Sequence, residues 1–178
     1  MHYLLIAAYV ATIPLANWMI GNVGTCVPDG PCLIPVAPGF MAPSGVLMIG
    51  AVLVLRDLVQ RRFGAKISLG CIVVGAALSA FVAPPALTLA SGAAFLLSEI
   101  ADFAVYTPLV RRGFALAVAA SVVVGAVVDS FLFLWLAFGS VDYAAGQILG
   151  KVYASAVFLA WLAARNYLSA TPAIISTK

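Results

Sequence analysis

The sequence predicts an all-α integral membrane protein, a bundle of six transmembrane helices with both termini in the cytoplasm. Of its 178 residues, 65% are hydrophobic and only 8% are charged, and the mean hydropathy is +1.16. A water-soluble domain could not bury that much apolar surface. A chain of this length has room for about six spans of about 20 residues each. We therefore expect a single domain, residues 1–178, embedded in the lipid bilayer.

Six apolar runs follow one another along the chain, each long enough for a transmembrane helix. The first run is too long for a signal-peptide core and is followed by no clear cleavage site, so we expect it to be retained. Between the first two runs, the segment 21–43 is rich in proline and glycine, which predicts a loop at the edge of the bilayer. The predicted spans are residues 3–20, 44–59, 67–82, 87–110, 114–138 and 145–168.

The basic residues predict the orientation of the bundle. They concentrate after the second and fourth spans and at or after the end of the sixth, whereas segment 21–43 and the Pro84-Pro85 turn contain no lysine or arginine. The positive-inside rule then places both termini in the cytoplasm. Lys151 is the exception, and it is interpreted as a lysine near the outer end of the sixth span that reaches the interface. The basic residues that set the orientation are Arg61, Arg62, Lys66, Arg111, Arg112, Arg165 and Lys178.

Two cysteines, Cys26 and Cys32, fall in the predicted outer loop. An oxidising compartment would permit a disulfide between them, and two unpaired thiols are the alternative. Their spacing, without supporting histidines, matches no metal motif, so we predict neither a metal site nor a cofactor.

The acidic residues inside the apolar spans are the most informative residues of the chain. A carboxylate in hydrocarbon is costly, so such residues usually face a bundle interior and mark a substrate or ion pathway. Glu99 and Asp102 are three positions apart and therefore share one helical face. The four acids are Asp57, Glu99, Asp102 and Asp129.

Asp57 also has a purely structural interpretation. Arg56 adjoins it and Arg61 follows one turn later, at the predicted cytoplasmic end of the second span. Asp57 could form an ion pair with these arginines at the interface, which would give Arg56 and Arg61 a structural or gating role. Asp102 could likewise lie close enough to the basic residues after the fourth span to be interfacial.

Several functional classes are disfavoured. The sequence contains no HExxH, no Gly-x-Ser-x-Gly and no P-loop, and its only histidine is His2, so we do not expect an enzyme. Nine basic and six acidic residues are too few and too dispersed for a nucleic-acid surface. A non-transporting structural protein would have no use for buried acids. A carrier with a buried binding site fits best.

Three segments resemble the signature stretches of the putative vitamin uptake transporter family, which includes the bacterial queuosine precursor transporters. Their shared pattern is Asp-x-x-x-Arg-x-x-Gly, then Ser-x-x-x-Asp, then Gly-x-x-x-Asp, matched here by Asp57, Arg61, Gly64, Ser98, Asp102, Gly125 and Asp129. Asn17 and Trp18 fit as well. The segments are MAPSGVLMIGAVLVLRDLVQRRFG (41–64), FLLSEIADFAVYTPLVRR (95–112) and VVGAVVDSFLFLWLAFG (123–139).

The resemblance implies uptake of 7-cyano-7-deazaguanine or its aminomethyl relative across the inner membrane, for salvage into modified tRNA or DNA. A carboxylate could accept both N–H groups on one edge of such a base. The implied substrate-binding residues are Asp102, Glu99, Asp129, Ser98, Asp57, Trp18 and Asn17. Glu99 departs from the family pattern, in which this position is mainly uncharged.

One alternative carrier remains open. Vitamin-specific binding subunits energised by a separate ATPase module are similarly small bundles of six spans, so this chain could bind another vitamin-like heterocycle and depend on such a partner. The sequence also leaves open the driving force and whether the protein acts as a homodimer.

Overall fold

The computed structural model describes residues 3–28 and 30–170, so His2 and Lys178 lie outside the described residues. Six long helices account for most of the chain, and each begins and ends within a few residues of a predicted apolar run. A short 3-10 turn, Pro85–Leu87, precedes the fourth. The helices are α1 Tyr3–Asn22, α2 Val46–Phe63, α3 Ala65–Val82, α4 Thr88–Leu109, α5 Phe114–Phe138 and α6 Ala144–Ala170.

Five of these helices, all except α2, are long and apolar enough to cross a membrane. Helix α2 differs because its second half carries Arg56, Asp57, Arg61 and Arg62. It nevertheless packs against each of the other five helices and buries more than half of its length. The fold is therefore that of a multi-pass membrane protein in which the most polar helix is surrounded by apolar ones.

The segment predicted as a loop contains a small antiparallel sheet, so the prediction of an all-α fold is wrong there. Its strands are β1 Thr25–Cys26, β2 Cys32–Ala37 and β3 Phe40–Pro43, in the order β1-β2-β3. Pro35 sits where the β2–β3 register shifts, a position that tolerates proline. Cys26 lies directly opposite Cys32, and a disulfide joins them.

Helices α2 and α6 approach each other closely at Gly50. A β-carbon placed there would lie 2.6 Å from the β-carbon of Ala154 and 2.6 Å from the carbonyl oxygen of Lys151. The hydroxyl of Ser155 donates a hydrogen bond of 2.7 Å to the Gly50 carbonyl. Small residues at a helix contact permit this approach in membranes, where van der Waals packing drives association.

We expect Gly50→Ala to destabilise the bundle by about 1–3 kcal/mol, because the added methyl group would force α2 and α6 apart. Gly70→Ala is the matched control, since a β-carbon at Gly70 would meet nothing within 4 Å. Thermal unfolding midpoints of both variants in one detergent provide the measurement. Equal midpoints would show that the α2–α6 contact adapts without cost.

Candidate functional site

A cavity lies inside the bundle, and all six helices contribute to its wall. Its volume is about 40 Å³, or about 420 Å³ when all the empty space up to its open mouth is included. That smaller volume accommodates only a few waters, so the cavity is closed to larger molecules in this conformation. The lining residues are Ala16, Asn17, Ile20, Pro43, Gly45, Val46, Ile49, Ser79, Ser91, Phe95, Asp129, Phe133, Gln147 and Lys151.

A buried ion pair between Lys151 and Asp129 is the main polar feature of the cavity. The ammonium of Lys151 lies 2.5 Å from a carboxylate oxygen of Asp129 and also donates to Ser130 at 2.8 Å and Gln147 at 2.7 Å. The lysine side chain is 1% exposed and that of Asp129 is 11% exposed. The interpretation of Lys151 as an interfacial lysine is therefore wrong, because three oxygen acceptors hold it inside the protein.

The rest of the lining combines small polar groups with two aromatic rings. Ser91 donates to the side-chain oxygen of Asn17 at 3.4 Å, and Ser79 donates to the Ser91 carbonyl at 3.4 Å. Phe95 and Phe133 supply aromatic faces. A few convergent polar groups on an apolar and aromatic wall are typical of small-molecule sites. Two larger grooves along α2 and α6 have mostly apolar linings and lack this combination.

A second polar cluster surrounds Arg56, whose side chain is fully buried. The guanidinium lies 3.0 Å from a carboxylate oxygen of Asp57 and 3.5 Å from one of Glu99, and it contacts Asp102 directly. One cation therefore bridges acids from α2 and α4. We call these four residues, Arg56, Asp57, Glu99 and Asp102, the arginine cluster.

A hydroxyl group of α5 and an amide group of α2 itself complete the arginine cluster. Ser121 of α5 donates to Asp57 at 3.0 Å, and the Arg56 guanidinium donates to Gln60 at 3.0 Å. Gly125 of α5 allows α4 to approach, since a β-carbon there would lie 3.2 Å from an oxygen of Asp102. The glycine of the Gly-x-x-x-Asp motif thus makes room for a carboxylate of another helix.

Two aromatic side chains connect the cavity to the arginine cluster. Phe95, in the cavity wall, lies one helical turn before Glu99, and its ring meets the ring of Tyr9 edge-on at 6.3 Å between centroids. The hydroxyl of Tyr9 in turn lies 3.5 Å from a carboxylate oxygen of Glu99. A single side chain, that of Tyr9, therefore separates the Phe95 ring from Glu99.

The residues predicted as one binding site are thus divided between two places. Asp129 and Asn17 line the cavity, whereas Asp57, Glu99 and Asp102 join Arg56 in the arginine cluster.

Three further predicted residues lie outside the cavity lining. Ser98 is buried and donates to the Phe95 carbonyl of its own helix. Trp18 is 56% exposed on the bundle surface, and Arg61 stacks over the Phe114 ring at 4.3 Å.

Sequence reasoning missed the contribution of α6 to the site. Gln147 and Lys151 are four positions apart, so they share one face of α6, and that spacing was the available signal. Among the described residues, no three or more His, Cys, Asp or Glu side chains are grouped so that they could hold a metal ion. The chemistry available to the cavity is therefore hydrogen bonding, ion pairing and aromatic stacking.

Comparison with known protein families gives a match in the second half of the chain. Residues 79–165 match the family described as putative vitamin uptake transporter, which confirms the resemblance seen in the sequence. The matched segment includes Glu99, Asp102, Asp129 and Lys151. No curated protein and no solved structure matches the chain.

Proposed function

From the premise that residues 79–165 match the putative vitamin uptake transporter family, we propose that the protein imports a queuosine precursor across the inner membrane. The substrate would be 7-cyano-7-deazaguanine or 7-aminomethyl-7-deazaguanine. The observation that supports this choice is the Lys151–Asp129 pair, buried in a cavity to which all six helices contribute.

The pair offers complementary groups to the polar edge of a deazaguanine. That edge presents an N1–H and an exocyclic amine beside a carbonyl oxygen. A carboxylate accepts from two adjacent N–H groups, and an ammonium donates to a carbonyl. Asp129 would accept hydrogen bonds from the two N–H groups of the base, and Lys151 would donate one to the carbonyl oxygen of the base. These hydrogen bonds would replace part of the contact between Asp129 and Lys151.

The aromatic lining suits the flat face of the same substrate. Phe95 and Phe133 lie in one cavity wall with Asn17 and Ser91, so a planar ring could stack while its edge is hydrogen-bonded. The cavity itself, at about 40 Å³, is far smaller than the roughly 300–1,000 Å³ usual for small-molecule sites. The helices must therefore separate to admit a two-ring base, as an alternating-access carrier requires.

The proposed orientation follows from the basic residues. Arg61 and Arg62 end α2, and Arg111 and Arg112 follow α4, so these ends would face the cytoplasm. All six helices, including the charged α2, would then span the membrane, and the disulfide-linked sheet would lie on the outer side. An oxidising outer compartment is consistent with that disulfide.

The decisive experiment uses a bacterium that can neither synthesise nor import queuosine precursors. Expression of this protein, with 7-cyano-7-deazaguanine in the medium, should restore queuosine in tRNA. An Asp129→Asn variant that inserts normally should not restore it. No restoration by a correctly inserted wild-type protein would refute the proposed substrate and favour another heterocycle or a subunit that needs a separate ATPase.

We expect Phe95→Ala to reduce uptake about tenfold, because the stacking surface for the base would be lost and such contacts contribute roughly 1–3 kcal/mol. Trp18→Ala removes an aromatic ring from the exposed surface of α1 and should leave uptake unchanged. Initial uptake rates at equal membrane abundance provide the measurement. A large loss in the Trp18 variant would mean that the base binds elsewhere.

A further inference from the structure

The arginine cluster contains more acids than its single cation can neutralise. If all three carboxyl groups were ionised, the one positive charge of Arg56 would leave two negative charges unbalanced. Lys151 does not neutralise them, because it is paired with Asp129. Each unpaired charge buried among apolar helices costs several kcal/mol.

The hydrogen bonding of the arginine cluster is also incomplete. Asp102 is fully buried, and neither of its carboxyl oxygens makes a hydrogen bond of normal geometry with the described residues, although one contacts Arg56. Nε and Nη2 of Arg56 and one oxygen of Asp57 likewise make no hydrogen bond of normal geometry with the described residues. A proton on one of the acids removes a negative charge and adds a hydrogen-bond donor. A metal ion would instead need several coordinating ligands, and the described residues contain no group of three or more His, Cys, Asp or Glu that could hold one.

We propose that Glu99 binds and releases a proton that is transported together with the substrate. This inference rests on the proposed uptake function and adds its driving force. Glu99 is the acid of the cluster that lies farthest from the positive charge, at 3.5 Å from Arg56, and its contact with the Tyr9 hydroxyl is also 3.5 Å long. Asp57 instead has two contacts of 3.0 Å, and Asp102 touches the guanidinium directly.

The surroundings of Glu99 also connect it to the cavity. Tyr9 contacts both Glu99 and Phe95, so a base that displaces the Phe95 ring changes the contact that Glu99 makes. Substrate occupancy and proton occupancy are thereby coupled through one side chain. The titratable or charged groups that act on Glu99 are Tyr9 from α1, Arg56 and Asp57 from α2, Asp102 from α4 and Asp129 from α5, while Cys71 of α3 acts on Tyr9.

The test uses the purified full chain reconstituted in liposomes that contain a fluorescent pH indicator. Exchange of labelled external 7-cyano-7-deazaguanine against unlabelled internal base, at equal pH, reports substrate transport without a driving force. Accumulation with the outside one pH unit more acidic reports coupling. One proton per substrate allows up to about tenfold accumulation, because each pH unit corresponds to about 1.4 kcal/mol. Addition of external base should also acidify the interior.

We expect Glu99→Gln to keep exchange within about threefold of the wild type and to lose both accumulation and acidification. Asp142→Asn makes the same change at an exposed acid and should behave like the wild type. Exchange by the wild type without accumulation or acidification would overturn proton coupling and leave the uptake function standing. Acidification that persists in Glu99→Gln would exclude Glu99 as the proton site.

Two results extend the test beyond that variant. Absence of exchange in the wild-type protein would refute the proposed uptake function and this inference with it. If Glu99→Gln does not fold, acidification by the wild type still decides whether protons move. Glu99→Asp keeps a carboxyl group but displaces it from Arg56 and Tyr9, so the pH at which uptake is half-maximal should shift, and an unchanged pH profile would count against Glu99 as the proton site.

Discussion

Lys151→Met is expected to abolish uptake and to lower the free energy of unfolding by about 3–5 kcal/mol, because it leaves a buried carboxylate without its cation. Three acceptors, on Asp129, Ser130 and Gln147, would lose their common donor. Thermal unfolding in detergent measures the stability, and uptake of 7-cyano-7-deazaguanine measures the function. Lys66→Met, the same change at an exposed lysine, is the control.

A double variant separates the structural role of this pair from its functional one. Lys151→Met combined with Asp129→Asn removes both charges, so most of the lost stability should return. Uptake should remain absent, because neither the carboxylate nor the ammonium is available to the base. A stable double variant that transports at the wild-type rate would show that the pair only holds α5 and α6 together.

The sequence predicted the helices well because the bilayer dictates them. A backbone in hydrocarbon must satisfy its own hydrogen bonds, so each long apolar run becomes a helix. The sheet was missed for the opposite reason. Its strands are short and proline-rich, and the pairing of Cys26 with Cys32, or of Leu33 with Pro43, depends on residues that are not neighbours in the sequence.

The sequence identified the buried acids and one neighbouring partner, Arg56 beside Asp57, but not the ion pairs between different helices. Hydropathy gives the length of a helix but not its rotation about its axis, which decides which residues meet. Asn17 and Trp18 illustrate this limit, since successive helical residues point about 100° apart and only Asn17 reaches the cavity. The two sites therefore became visible only when α2, α4, α5 and α6 were placed together.

The ion pairs also show why charged residues near the ends of a predicted span are ambiguous. An interface was one of two interpretations for Arg56 and the interpretation for Lys151, yet each is buried with at least one acid from another helix. A long basic side chain can reach water or turn inward, and sequence distance from the end of a span does not distinguish these outcomes. A buried acid elsewhere in the chain is the better indicator, because it needs a cation.

Arg56→Met should have the largest effect on folding of any single substitution in the arginine cluster. It leaves Asp57, Glu99 and Asp102 without their shared cation, and breaking a buried pair costs about 3–5 kcal/mol even for one acid. A loss of that size is comparable to the whole stability of many domains. We expect little folded protein in the membrane, as measured by the monodisperse fraction after extraction.

Arg56→Lys should rescue folding only in part, because an ammonium lacks the planar fork that lets the guanidinium contact three acids at once. Adding Asp57→Asn and Asp102→Asn to Arg56→Met should restore more, since Glu99 then remains as the single acid and a bound proton keeps it neutral. Arg111→Met, at an exposed position, controls for the loss of a positive charge. If Arg56→Met alone accumulated and unfolded like the wild type, the acids of the cluster would have to be neutral without Arg56, and its role as their shared cation would be refuted.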